Sequence, residues 1–175
     1  METWIDSKTV FEGRIVNLRV GDVRLADGTV AYREVVEHPG GVTLVPYHGG
    51  NVVFVRQYRI AIGTEILELP AGKLEGGEDP VERARAELRE ETGYTAGRIV
   101  PVGSIYSSVG YTSEEIHLFL ALDLTKGGQA LEEDERIEVV EIPLEEICRQ
   151  IESGEYQDAK SIAGIWRLKA WLERD

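Results

Sequence analysis

Three glutamates, Glu87, Glu90 and Glu91, lie in one short run between two glycines, Gly72 and Gly93, and that run restricts the chain more than any other part of it. Asp79 is a good helix N-cap, Pro80 suits the first helical position, and Gly93 is a natural C-terminal stop. Val81, Ala84 and Leu88 fall at i, i+3 and i+7 and form the apolar stripe of an amphipathic helix. On such a helix Glu87, Glu90 and Glu91, at i, i+3 and i+4, share one face. Like charges so spaced cost about 0.2–0.5 kcal/mol per pair even in water. They become favourable around a hard cation, and Mg²⁺ takes oxygen ligands and shares phosphate oxygens readily. The plainer alternative is a solvated face laced with ion pairs, which Arg83 and Glu87 at i, i+4 would serve. A glycine loop, a capped helix, three same-face glutamates and a terminal glycine in one run favour the metal site.

The rest of the chain gives that helix a mixed setting. Val10 to Val36 reads as short strands broken by the turn Ala26-Asp27-Gly28. Val42–Pro46 and Val52–Val55 flank His48-Gly49-Gly50-Asn51 and predict a hairpin. Glu65–Leu69 is a further short apolar segment, and Ile116–Leu122 and Ile137–Ile142 read as strands. Helices are expected over about 144–153 and 159–173. The order of strands, helix, strands and helices is mixed α/β without the alternation of a doubly wound sheet.

Composition narrows the function classes. The 175 residues suit one domain with a core. The net charge of −13 argues against binding duplex DNA or an anionic membrane, so neither nucleic acid nor membrane is an expected partner. No apolar run approaches the roughly 20 residues of a membrane helix, and Met1–Asp6 has neither the basic nor the apolar region of a secretory leader, so the expected compartment is the cytoplasm. One cysteine, Cys148, excludes an internal disulfide and a Cys-rich zinc site, and its apolar helical context makes it an inert core residue. His38, His48 and His117 are too scattered for a zinc site, and Trp166 and Trp171 read as packing residues.

The segment Gly72-Lys-Leu-Glu-Gly-Gly-Glu78 through Glu87-Leu88-Arg89-Glu90-Glu91-Thr92-Gly93 resembles the Nudix box, and Gly72, Glu78, Glu87, Leu88, Glu90, Glu91 and Gly93 match it in register. Ala86 stands where the box has an arginine that orients glutamates; Arg85 and Arg89 are nearby but occupy other helical positions. Val55-Arg56-Gln57-Tyr58-Arg59, Glu65 through Gly72, Ser107 through Glu114 and Glu132 through Glu135 are similar to the ADP-ribose pyrophosphatase branch. Val109 departs from that branch, which carries a proline there.

The resemblance implies a Nudix α/β/α sandwich with a mixed sheet at residues 41–175, an N-terminal antiparallel strand extension at 1–40, and a homodimer made through that extension. It implies a Mg²⁺ or Mn²⁺ site made by Glu87, Glu91 and the Ala71 carbonyl, with Glu135 as a further ligand and Glu90 completing the shell. Glu133 is then the general base, with Glu90 or Glu135 as alternatives, and Arg59 the diphosphate-binding residue. Arg33 and Glu114 would line the substrate, although Arg33 reads equally well as a cross-strand surface residue. The substrate implied is ADP-ribose, cut to AMP and ribose 5-phosphate. GDP-mannose or another sugar nucleotide is the alternative, and a nucleotide sensor without catalysis is the alternative of another class.

Overall fold

The structure is a computed structural model in which residues 1–131, 133 and 135–174 are described. It divides into two compact units, one of residues Met1–Gly40 with Tyr106–Glu115, the other of Gly41–Ile105 with Ile116–Asp175.

The first unit is a three-stranded antiparallel sheet in the order β1 (Thr3–Glu12), β2 (Asn17–Arg24), β3 (Val30–Glu37). Its first strand begins well before Val10, because Thr3–Glu12 pairs with β2 through two register shifts, one between Trp4 and Asp6 and one between Thr9 and Phe11, that hide its alternation. The turn at Asp27-Gly28 forms as expected: Gly28 has φ 88°, and the Asp27 carboxylate accepts the Thr29 N–H at 3.0 Å. The segment 106–115 attaches to β3, where Val36 N–H donates to Tyr111 O at 2.7 Å and Ser113 N–H to Val36 O at 3.1 Å.

The second unit is built on a sheet that runs, among the described residues, in the order β10 (Ile137–Pro143), β5 (Asn51–Arg59), β4 (Gly41–His48), β9 (Glu115–Lys126), β8 (Tyr94–Tyr106). Two short strands join it, β6 (Thr64–Glu68) on β5 and β7 (Ala71–Lys73) on β4. The β4–β9 pair is parallel and the β4–β5 pair antiparallel, so the sheet is mixed. The expected hairpin joins β4 and β5 through Gly49 (φ 58°) and Gly50 (φ 85°), the two positive φ values that a tight type I′ turn needs.

Neighbouring residues of the central strands face opposite ways and fill two cores. Val45, Val52, Phe54 and Leu120 pack with Ile147 of α2 (Leu144–Ser153) and with Ile165 and Leu168 of α3 (Ala159–Leu172). Val42, Leu44, Val53 and Phe119 pack with Ala84 and Leu88 of α1 (Pro80–Thr92) on the other side. This is an α/β/α sandwich, and the near-continuous apolar run of β4 follows from burial on both faces.

Helix α1 follows its sequence signals. Asp79 caps it by accepting the Val81 N–H at 2.9 Å, and Gly93 ends it in the left-handed region at φ 73°. Ala84 and Leu88 are fully buried, which fixes the helix's rotation and therefore where its glutamates point.

Candidate functional site

Rotating Ala84 and Leu88 into the core turns Glu87 and Glu91 toward β7, and both are 4% exposed. The Glu91 carboxylate accepts the Ala71 N–H at 3.0 Å. The Glu87 carboxylate rests against Gly72, where a Cβ would come within 2.6 Å of Glu87 Cγ and closer still to the carboxylate. Gly72 is thus a cradle: the absence of a side chain there lets the helix carboxylate reach the backbone of the strand. Glu90, on the same helix, is more exposed and lies 3.8 Å from Arg89.

Two like charges in so dry a place perturb each other. Burial pushes the Glu87 carboxyl above its ordinary value, partly offset by Arg83. Burial, and then the neighbouring Glu87, push Glu91 up to about 8. Glu135 lies within electrostatic reach of both. The loop bearing Glu133 and Glu135 is tied to the last turn of α1: Gly127 N–H donates to Gly93 O at 2.7 Å, Gln129 Nε2 to Glu91 O at 2.7 Å, and Ala130 N–H to Glu90 O at 3.0 Å. These bonds satisfy carbonyls that a helix C-terminus otherwise leaves open. Glu133 is exposed on that loop. Glu132 and Asp134, part of the acidic stretch singled out in the sequence, lie outside the described residues.

Among the described residues no three His, Cys, Asp or Glu side chains stand close enough to enclose an ion unaided. The donor set still fits a divalent cation. Two buried carboxylates share one guanidinium and one backbone N–H, the strand backbone at Ala71–Gly72 lies against them, and Glu135 adds a third negative charge. All donors are hard oxygens, the set that Mg²⁺ or Mn²⁺ takes.

Arg59, at the end of β5, is held by Glu68 through two hydrogen bonds, Nε to Oε1 at 2.6 Å and Nη2 to Oε2 at 3.1 Å. Its side chain is 43% exposed, so it faces solvent while its orientation is fixed, and it feels the field of Glu91. Glu68 itself is buried and is shared with Lys160 of α3, which also pairs with Asp158 at 2.8 Å. Burial raises the Glu68 carboxyl, but the bonds from Arg59 and Lys160 more than offset this and leave it below the ordinary carboxylate range. The sequence singled out neither Glu68 nor Lys160. Glu68 lies inside a segment that carried a resemblance, whereas Lys160 had no local signal, because its partners are more than ninety positions away or on its own helix cap.

The remaining expected residues belong to the first unit. Arg33 is gripped by Glu2, at 2.7 and 3.0 Å, across the sheet from β3 to the chain's start. Glu114 lies 3.5 Å from His38 Nδ1.

Carboxylates gathered on a strand backbone beside a fixed arginine suit hydrolysis at phosphorus with the help of a divalent ion. Comparison with known proteins agrees with that class. The chain belongs to the Nudix family: its residues 37–164 match the NUDIX domain, and it is a Nudix hydrolase, a family that uses divalent metal ions. It is 40% identical over 171 residues to an ADP-ribose pyrophosphatase of Bacillus subtilis, covering 96% of this chain and 92% of that one. It is 39% identical to a methanol dehydrogenase activator of Bacillus methanolicus over the same shares, and 34% identical to a GDP-mannose pyrophosphatase of Klebsiella pneumoniae over 78% of this chain and 75% of the other. A crystal structure of an ADP compounds hydrolase shares the fold, with a TM-score of 0.86 at 22% identity over 98% of this chain and 94% of that one.

Proposed function

We propose that this chain is a Mg²⁺-dependent pyrophosphohydrolase that cuts ADP-ribose, or a closely related nucleoside diphosphate sugar, to AMP and a sugar phosphate. The observation that carries the reading is the meeting of Glu87 and Glu91 with the Ala71–Gly72 backbone, within the field of Arg59. The similarity to ADP-ribose pyrophosphatases over nearly the whole chain supports the choice of substrate.

In this reading Glu87, Glu91 and the Ala71 carbonyl hold the ion, with Glu135 as a further ligand. A bound divalent cation would offset the diphosphate charge and acidify a water molecule. Arg59 would take the outer diphosphate oxygens, since its planar fork matches them and Glu68 keeps that fork in one orientation. Water adds to one phosphorus, the bridging P–O bond breaks, and the proton released passes to a carboxylate. Glu133 is assigned that role by resemblance, on a loop anchored to the glutamate helix, with Glu135 or Glu90 as alternatives. Arg33 and Glu114 are assigned to substrate recognition on resemblance alone.

The test is product analysis after incubation with ADP-ribose, with and without Mg²⁺, for the wild type and Glu91→Gln. AMP and ribose 5-phosphate that require both the metal and Glu91 are expected. Product from GDP-mannose but not from ADP-ribose would move the assignment to another sugar nucleotide. Full activity in Glu91→Gln would remove the metal-site assignment.

A further inference from the structure

The ion pair between Arg83 and Glu87 has the spacing of an ordinary surface pair, i to i+4, but its surroundings are not ordinary. The Glu87 side chain is 5% exposed and that of Arg83 25%. An exposed pair of this kind contributes little, whereas a buried carboxylate without a partner is strongly disfavoured. The guanidinium pairs with Glu87 and also lies in the electrostatic field of Glu90 and Glu78. Its Nε is buried and has no hydrogen-bond partner among the described residues. The nearby arginines pair with other groups than Glu87: Arg85 reaches the Ala96 carbonyl at 3.4 Å and Glu82 at 3.7 Å, and Arg89, mostly exposed, lies 3.8 Å from Glu90.

We infer that Arg83 is a positioning residue: it holds the Glu87 carboxylate against the Gly72 backbone in the orientation that binds the divalent cation. The geometry gives Glu87 two constraints, the Gly72 backbone beneath it and Arg83 beside it. Without Arg83 only the backbone remains, and a glutamate has three rotatable bonds with which to leave. Ala86 cannot replace it, having no side chain long enough to reach a carboxylate. The inference rests on the reading of Glu87 and Glu91 as metal ligands.

The sign of the effect separates positioning from charge. Arg83 is a cation beside a cation site, so by Coulomb's law alone its removal tightens metal binding. If Arg83 orients Glu87, removal weakens binding, by about 10–100-fold, the scale found when the partner that orients a metal ligand is lost. The experiment is calorimetric titration of Mn²⁺ alone into wild type, Arg83→Ala, Arg83→Lys and Glu91→Gln, with melting temperatures of the metal-free proteins alongside. Arg83→Ala is expected to bind Mn²⁺ about 10–100-fold more weakly, and Arg83→Lys to fall between, since lysine keeps the charge but not the planar fork. Unchanged or tighter binding by Arg83→Ala overturns the inference, even if its melting temperature falls. Should Arg83→Ala not fold, Arg83→Lys decides: weaker binding than wild type supports positioning, and equal binding overturns it. If the wild type binds no Mn²⁺, or Glu91→Gln binds it as the wild type does, the metal-site reading fails and the inference falls with it.

Discussion

Substituting alanine for Gly72 separates the requirements of the fold from those of the site. A Cβ on Gly72 would sit 2.6 Å from Glu87 Cγ, while two carbons rest comfortably at about 3.5–4.0 Å. The side chain must therefore retreat by about 1 Å at Cγ, and by more at the carboxylate, which lies closer still. The strand cannot yield instead, because Gly41, Val42 and Thr43 of β4 pair with Lys73, Gly72 and Ala71 of β7. The atoms displaced are the far end of a flexible side chain, so folding loses little and the melting temperature of Gly72→Ala should shift by only a few degrees, about what a 1 kcal/mol change produces. Catalysis should suffer more: a misplacement of about 1 Å can cost 10²-fold, so kcat with ADP-ribose and Mg²⁺ should fall by about that factor. Metal affinity, measured by titration, should weaken along with it. A Gly72→Ala protein with wild-type kcat and wild-type metal affinity would refute the reasoning, because it would show that Glu87 does not need its place beside the strand.

Two further outcomes follow from the core and from the Arg59–Glu68–Lys160 cluster. Leu88→Ala should lower unfolding free energy by about 2–5 kcal/mol in chemical denaturation, since Leu88 is 1% exposed and locks α1 onto the sheet. Glu68→Gln should destabilise the protein by about 2–3 kcal/mol at neutral pH, the scale of hydrogen bonds to a charged group. The Glu68 pKa is lowered on folding, so its contribution is present above the unfolded value and is lost as pH falls through the folded one. Denaturation of wild type and variant from pH 7 downward should therefore converge below about pH 4. A gap that stays constant with pH would show that Glu68 acts through packing.

What the sequence made legible, and what it hid, divides along the range of the interactions. Helix α1 was readable to within a residue because Asp79, Pro80, the Ala84–Leu88 stripe and Gly93 are all local signals. The β4–β5 hairpin was readable for the same reason, through Gly49-Gly50. Strand β8 was not assigned: Gly97, Pro101 and Gly103 break its pattern, and they are tolerated because β8 is the last strand in the sheet's order. In the site, the shared face of Glu87 and Glu91 followed from helical spacing. The grip of Glu68 and Lys160 on one another did not, because those residues meet only when α3 packs on the sheet. Arg83 was visible as a partner of Glu87, but its burial, which distinguishes it from a surface pair, depends on the tertiary structure.

Val109 offers a test of substrate choice that keeps clear of the glutamates. The Tyr111 N–H donates to the Ser108 carbonyl at 3.2 Å, so residues 108–111 form a turn with Val109 in its second position. Proline suits that position because its ring presets φ near −65°. Val109 is 81% exposed, so the ring meets little steric resistance. Val109→Pro should fold and gain about 0.4–1 kcal/mol from the reduced freedom of the unfolded chain. It would also restore the residue carried by the ADP-ribose-preferring branch that this loop resembles. If the turn contributes to substrate choice, the ratio of kcat/KM for ADP-ribose to that for GDP-mannose should rise by about tenfold, the scale of one altered apolar contact. A protein that gains the expected stability while its ratio stays at the wild-type value would show that the turn is correctly placed but does not select the sugar nucleotide. Selectivity would then have to be sought in side chains outside this loop.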